Sequence, residues 1–373
     1  MTSRAVFIGS EIYRRSTYGG QHPLAIPRVS TVIDLCRALD WFGAGEYRAS
    51  PRAKPGALAA FHTPDYIAAL QRAEKRQTVT DVDRSRHGLG TLSNPVFPEM
   101  FRRPATAAGG SLLGAELALG GLSVFNPGGG THHGFADRAG GFCYLNDPVL
   151  AILAMLRAGL DRVAYVDIDA HHCDGVASAF HGSQQVRMIS LHEDRRWPFT
   201  GGVSDTAGGA AYNIPVPRGF NDSEFELILD EVILPAVAGF RPQAIVLQCG
   251  ADAVTEDPLS RLCLSNRCHW KTVGALQQLS SCLLVLGGGG YNPWSVARLW
   301  TGVWAILSGR AIPDHLPEQA QNILRALDWQ RQRGQDRPQA WFTTLRDAPR
   351  TGPIRSEVRQ TAGLVSARLS TWA

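Results

Sequence analysis

Residues 162–176 read RVAYVDIDAHHCDGV. The stretch opens as an apolar strand and ends in Asp167, Asp169, His171, His172 and Asp174. An unbroken apolar run with polar residues crowded at its carboxyl end marks a strand of a parallel sheet, covered on both faces and carrying chemistry beyond its end. Successive side chains of an extended chain point to opposite faces. Asp167, Asp169 and His171 are two apart and so face one way. Asp169 and His171 can then ligate one ion, with Asp167 just behind them.

The same construction recurs along the chain. Strands are predicted at AVFIG (5–9), SVFNP (123–127), VRMISLH (186–192), AIVLQCG (244–250) and CLLVLGG (282–288). Between them VSTVIDLCRAL, TPDYIAALQRA, PATAAGGSLLGAELAL, NDPVLAILAMLRAG, SEFELILDEVILPAVAGF and VARLWTGVWAILSG carry apolar residues at helical spacing. Strand and helix in alternation predict an α/β fold with a central, mostly parallel sheet flanked by helices. Five loops then leave one rim of that sheet: NPGGGTHHG, DAHHCDG, EDRRWPFTGG, ADAVTEDP and GGYNPW. No repeat or low-complexity linker divides the chain. The pattern loosens from about 312, which predicts a catalytic domain over 1–311 and a C-terminal helical extension or tail over 312–373. Arginines collect there in RALDWQRQRGQDRPQ (325–339), read as a solvated helix with a loose tail.

Composition excludes several classes. Of 373 residues 44% are hydrophobic and 19% charged, an ordinary globular balance. A net charge of +4 is too weak to argue for nucleic acid without a clustered patch. The seven cysteines form no CxxC pair, so a reducing, cytoplasmic location is expected. The N-terminus meets charge too early for a secretory segment, and no apolar run approaches the ~20 residues of a membrane span. The oligomeric state is left open.

A third ligand for the ion must come from another strand end, and Asp252 in QCGADA is the best placed. Asp-His-Asp ligation leaves room for water, the open arrangement of a catalytic ion. Zinc fits, with ferrous iron or cobalt nearly as good. The adjacent His132 and His133 follow three glycines and suit a general base and acid pair. Asp167 and Asp174 are free to orient them. GGGGYNPW lacks the Lys-Ser/Thr of a phosphate loop, and its Tyr291 can donate a hydrogen bond to a developing oxyanion. Together these pieces describe metal-assisted hydrolysis of an amide.

The motifs GGGTHHG, GGFCYLNDP, YVDIDAHHCDGV, QCGADA and LGGGGYN resemble, in order, those of the histone deacetylase superfamily, which includes bacterial acetoin-utilisation proteins and acetylpolyamine amidohydrolases. The resemblance covers roughly residues 5–310. It implies a three-layer arginase/deacetylase-like fold and a zinc-dependent amidohydrolase that removes an acetyl or other acyl group from a lysine-like or polyamine-like amine. By position it implies Asp169, His171 and Asp252 as ion ligands, with His132 and His133 oriented by Asp167 and Asp174 respectively. It further implies Tyr291 as oxyanion donor, Phe142 and Phe199 as walls of an acyl-lysine tunnel, Gly141 as a backbone carbonyl there, and Arg28 in an acetate channel. A potassium ion is implied beside the metal strand, held by Asp167, Asp169, His171 and Ser190.

Two departures bear on the substrate. Ser93, beside Leu92, stands where the family often has an Asp that grips the substrate backbone. A small acylated amine or other nonpeptidic amide is therefore expected over a histone tail. The wall segment reads Trp197-Pro198-Phe199, which reshapes the entrance. Cys143 and Cys173 are expected to be buried and inert rather than redox-active. A two-manganese ureohydrolase would need carboxylates where Cys173 and Val254 stand. A ligand-sensing protein would not need His132, His133 and Tyr291 together.

Overall fold

The computed structural model describes residues 5–329 and 337–369; residues 330–336 of the arginine-rich stretch lie outside them. Eight strands form one parallel sheet: β1 (Ala5–Gly9), β2 (Tyr47–Ala49), β3 (Ser123–Asn126), β4 (Val163–Asp167), β5 (Val186–Glu193), β6 (Ala211–Val216), β7 (Ala244–Gln248) and β8 (Leu283–Leu286). Their order is β2-β1-β3-β8-β7-β4-β5-β6. Every residue of β4 is buried, as a strand covered on both faces requires.

Helices cover each face, giving the three-layer architecture implied by the sequence. Helices Val29–Ala38, Asn266–Leu279 and Pro293–Leu307 share one core with Val166, Leu247 and Val285. On the other face Ala115, Val149, Ile152 and Val176, from helices Arg102–Leu119, Asp147–Arg157 and Asp174–Ala179, pack with Tyr165, Val246 and Leu284. The alternation along β4 and β7 sends neighbouring residues into opposite cores.

Two strands had no signal in the sequence. β2 is only three residues long, and β6 carries Pro215. Both lie at sheet edges, where a missing N–H is tolerated. The segment read as one helix over 223–240 is helical throughout, but a π-helical turn at Leu229–Ile233 precedes Pro235. Proline has no N–H to give to the preceding turn, and the wider turn absorbs that break.

Helix Pro293–Leu307 shows how the core reaches the rim. Asn292 caps it by accepting from the N–H groups of Trp294 and Ser295, and Pro293 fits the first turn. Trp294, Trp300 and Trp304 are fully buried. Each indole N–H finds a carbonyl: Leu324 at 2.8 Å, Cys249 at 2.9 Å and Trp41 at 2.8 Å. The Trp300 bond fixes the loop after β7, three residues before Asp252.

Residues after 311 join the same core. Leu316, Ala320, Leu324, Leu345, Val358 and Val365 are buried in the cluster that holds Trp294. Trp341 stacks on Trp294 with ring centroids 5.4 Å apart. Arg298 pairs with Asp347 at 2.5 Å, both side chains being almost wholly buried. Among the described residues no helix is long and apolar enough to cross a membrane.

Candidate metal centre and active site

β3, β8, β7 and β4 are consecutive in the sheet, and their carboxyl ends bring together four of the five loops singled out in the sequence. β4 ends at Asp167, and the chain then bends, so Asp169 and His171 sit on a turn rather than on an extended strand. Backbone amides hold that turn. Asp167 Oδ1 accepts from the N–H of Asp169 at 3.0 Å, and Asp169 Oδ1 from that of His171 at 3.0 Å. Asp252, on the loop after β7, reaches across to accept from the Ala170 N–H at 3.0 Å.

Asp169, His171 and Asp252 therefore converge, with one ligand atom from each lying within 4.8 Å of the others. His171 Nδ1 stands 2.9 Å from Asp252 Oδ2 and 3.2 Å from Asp169 Oδ1. Donors this close can share one small cation. All three residues are buried. Burial and the nearby Asp169 raise the Asp252 carboxyl above the usual range. His171 is raised to about 10: burial opposes its charge, but hydrogen bonds to Asp169 and Asp252 outweigh it. Two carboxylates around one imidazole make a buried anionic nest suited to a dication. Glycines give the carboxylates room, since a Cβ on Gly250 would collide with Asp169 Oδ2 and one on Gly289 with Asp252 Oδ2.

The two histidines after β3 face this nest. Their rings lie 4.0 Å apart. His132 Nδ1 meets Asp167 Oδ2 at 2.8 Å, and His133 Nδ1 meets Asp174 Oδ1 at 2.7 Å. Each ring is thus oriented through Nδ1. Burial disfavours a charged His132, but Asp167 and Asp169 prevail and push it up to about 9. Burial and the neighbouring His132 hold His133 down at about 4 against Asp174. The two rings are thus pushed in opposite directions, His132 toward its charged form and His133 toward its neutral one.

Residues not singled out in the sequence hold the histidine loop in place. Asp147 accepts from the Ser111 hydroxyl at 2.6 Å and from the N–H groups of Gly130 and Thr131 at 2.9 and 2.8 Å. Asn146 donates to the carbonyls of His132 and Gly134 at 3.2 and 2.8 Å. The adjacent Asn-Asp of GGFCYLNDP was the available signal, because such short polar side chains bind nearby backbone readily. Asp257 is likewise buried and accepts from the Tyr291 N–H at 2.7 Å. It anchors the tyrosine loop after β8.

A funnel of about 990 Å³ opens onto this floor and is lined by His133, Gly141, Phe142, His171, Leu259 and Tyr291 among others. Burial, then Asp252 and Asp169, push the Tyr291 phenol well above its usual range, so it stays a donor. Its ring meets Phe142 edge-on at 5.7 Å. Opposite stands Trp197, edge-on to His133 at 4.6 Å. Phe199 lies further out, 74% exposed. Gly141 has φ +49°, and a Cβ there would strike both Trp197 and His133. Trp197 thus forms the inner wall, and Phe199 contributes to the mouth. Ser93 also borders the funnel, with its carbonyl 3.3 Å from His22 Nε2.

Arg28 lies beneath the floor, against a second cavity of about 50 Å³ that also touches His132 and Tyr291. Its guanidinium donates to the Gly288 carbonyl at 2.7 Å and stacks over Trp300. Ser190 is buried and pairs in register with Asp167; its hydroxyl lies 3.0 Å from His192 Nδ1. Cys143 and Cys173 are buried free thiols, and burial raises both. The Asp-His-Asp group is the one cluster that could hold a metal ion among the described residues.

Comparison with known proteins agrees with this architecture. Residues 22–307 match the model of the histone deacetylase domain. Histone deacetylase 9 of Arabidopsis thaliana is 36% identical over 310 residues, covering 81% of this chain and 72% of that protein. The acetoin utilization protein AcuC of Bacillus subtilis is 32% identical over 351 residues, covering 90% and 89%. The crystal structure of an HDAC homologue from Aquifex aeolicus superposes with a TM-score of 0.93 at 37% identity, over 97% of this chain and 100% of that one. An HDAC homologue complexed with SAHA gives 0.93 at 36%, with the same coverage. With more than half its length matched by the family model, and the five sequence motifs gathered at one sheet rim, the chain belongs to the histone deacetylase family.

Proposed function

We propose that this protein is a metal-dependent deacetylase, an amidohydrolase that removes an acetyl or other acyl group from a linear amine. The observation that carries this reading is the placement of Asp169, His171 and Asp252 at the floor of the funnel, facing two carboxylate-backed histidines and a protonated tyrosine. A divalent cation held by those three residues, zinc first and ferrous iron or cobalt on the same donors, would polarise the amide carbonyl and acidify a water.

The remaining work falls to the chain itself. Phe142, Trp197 and Leu259 strip water from an aliphatic stem and leave the amide to meet polar groups. His133, neutral and fixed by Asp174, receives the proton of the attacking water at Nε2. His132, charged and fixed by Asp167, adds positive potential beside the carbon under attack. The Tyr291 hydroxyl donates to the oxyanion that develops on the carbonyl. His133 then returns its proton to the amine, which leaves only when protonated. Arg28 lines the cavity through which a short carboxylate would depart. Asp167, Asp169 and His171 carbonyls, with the Ser190 hydroxyl, are an oxygen-donor set suited to a potassium ion at the end of β4.

Hydrolysis of a fluorogenic acyl-lysine tests the reading. Turnover that needs added divalent metal, and that SAHA inhibits, is expected. No turnover with any of zinc, iron or cobalt would overturn it.

A further inference from the structure

The funnel mouth carries five arginines, Arg195, Arg196, Arg218, Arg261 and Arg355, against three carboxylates, Glu193, Asp194 and Glu357. The carboxylates are spoken for. Glu193 is buried and takes two bonds from Arg196, at 2.8 and 2.7 Å, and one from the Arg261 N–H at 2.7 Å. Asp194 pairs with Arg195 at 3.2 Å, and Glu357 with Arg355 at 3.6 Å. Arg355 is further held by Glu224, through two contacts of 2.7 Å.

Among the described residues, two of the arginines lack such a commitment. Among the described residues the Arg261 guanidinium donates only to the carbonyls of Pro258 and Ser260, at 3.4 and 2.9 Å. Arg218 is exposed, and its nearest carboxylate is 4.0 Å away on Glu193, which Arg196 already neutralises. Hydrogen bonds tie down the segments that carry them. The Gly219 N–H donates to the Arg261 carbonyl at 2.7 Å, and Arg355 donates to the Arg218 carbonyl at 2.9 Å. The patch is therefore built into one wall rather than spread along a loose loop.

We propose that the preferred substrates are acylated amines whose far end carries an anionic group, bound at the funnel mouth by Arg218 and Arg261. A polycationic amine or a lysine-rich peptide needs uncommitted carboxylates at the rim, and the carboxylates lining this funnel are all paired. Ser93, lining the same funnel, adds no negative charge. An anion instead meets two guanidiniums, which suit carboxylate or phosphate oxygens. The inference narrows the deacetylase reading above and rests on it.

N-acetylated aminoalkanes of varied chain length, ending in carboxylate, carboxamide or ammonium, test it on the zinc-loaded protein. The kcat/KM for carboxylate is expected to exceed that for carboxamide by roughly three- to thirtyfold at low salt, with ammonium lowest. That ratio should shrink as salt is raised. It should collapse toward one in the Arg218→Ala/Arg261→Ala double variant, through KM, and persist in the double Lys variant. An ammonium substrate equal to or better than the carboxylate overturns the proposal, as does a ratio that neither salt nor the double Ala variant moves. In either case hydrolysis of the carboxamide leaves the deacetylase reading standing. If the carboxamide and acetyl-lysine are both untouched, the deacetylase reading falls and takes this inference with it.

Discussion

Replacing Tyr291 by Phe isolates one hydrogen bond. The ring is 7% exposed and held edge-on to Phe142, so phenylalanine keeps the same packing. The loop stays in place, because Asp257 grips the backbone N–H and not the side chain. Burial and the carboxylates of Asp252 and Asp169 hold the phenol well above its ordinary range. The hydroxyl is therefore a donor at every working pH. A preorganised donor to an oxyanion contributes about 2.7–4 kcal/mol, or roughly 10²–10³ in kcat. Steady-state kinetics on a fluorogenic acetyl-lysine should show that loss in kcat with KM nearly unchanged, since the bond matters only when charge develops. Metal content should equal that of the parent. A kcat within about threefold of the parent would refute the oxyanion role.

Other outcomes follow from the same geometry. Gly289→Ala would push a methyl into the Asp252 and Asp169 carboxylates; metal affinity measured by chelator competition should fall roughly ten- to a hundredfold, and an unchanged affinity would contradict the assigned nest. His133, held down at about 4, loses its basic form only below that pH, whereas His132, raised to about 9, loses its charge as pH rises through about 9. Activity should therefore plateau across neutral pH, with limbs belonging to the pair rather than to either ring, and Asp167→Asn should move the alkaline limb downward. A single limb at the ordinary histidine value in both proteins would refute the assignment. Arg298→Ala strands the buried Asp347, so denaturant unfolding should show a loss of about 3–5 kcal/mol. A loss below about 1 kcal/mol would mean that the segment after 311 is not tied to the core through this pair.

The sequence announced the central strands and the loops at their carboxyl ends, because a strand buried on both faces must be apolar along its length and can turn polar only where it leaves the sheet. The pairwise spacing of Asp167, Asp169 and His171 likewise survived the bend after β4, since each carboxylate binds the amide two residues on. Support that passes through backbone was marked in the sequence by residue type alone, as in the adjacent Asn146 and Asp147. Asp147, Asn146 and Asp257 act on N–H and carbonyl groups of other loops, and backbone groups carry no residue-specific mark. The wall segment is a similar case: Arg195 and Phe199 take positive φ, and that path turns Trp197 inward and leaves Phe199 at the mouth. In the C-terminal segment the helices Glu318–Arg325 and Ala340–Thr343 are short, and their apolar residues reach the core one or two at a time. Periodicity over a long window does not register such contacts.

The central claim is that Asp169, His171 and Asp252 grip one divalent ion. A crystal structure of zinc-loaded protein, with the metal located by anomalous scattering, measures this most directly. One peak bonded to Asp169, His171 and Asp252, and lost in Asp252→Ala, is the expected result. A peak elsewhere, or a second equal peak near Cys173 and Val254, would contradict it.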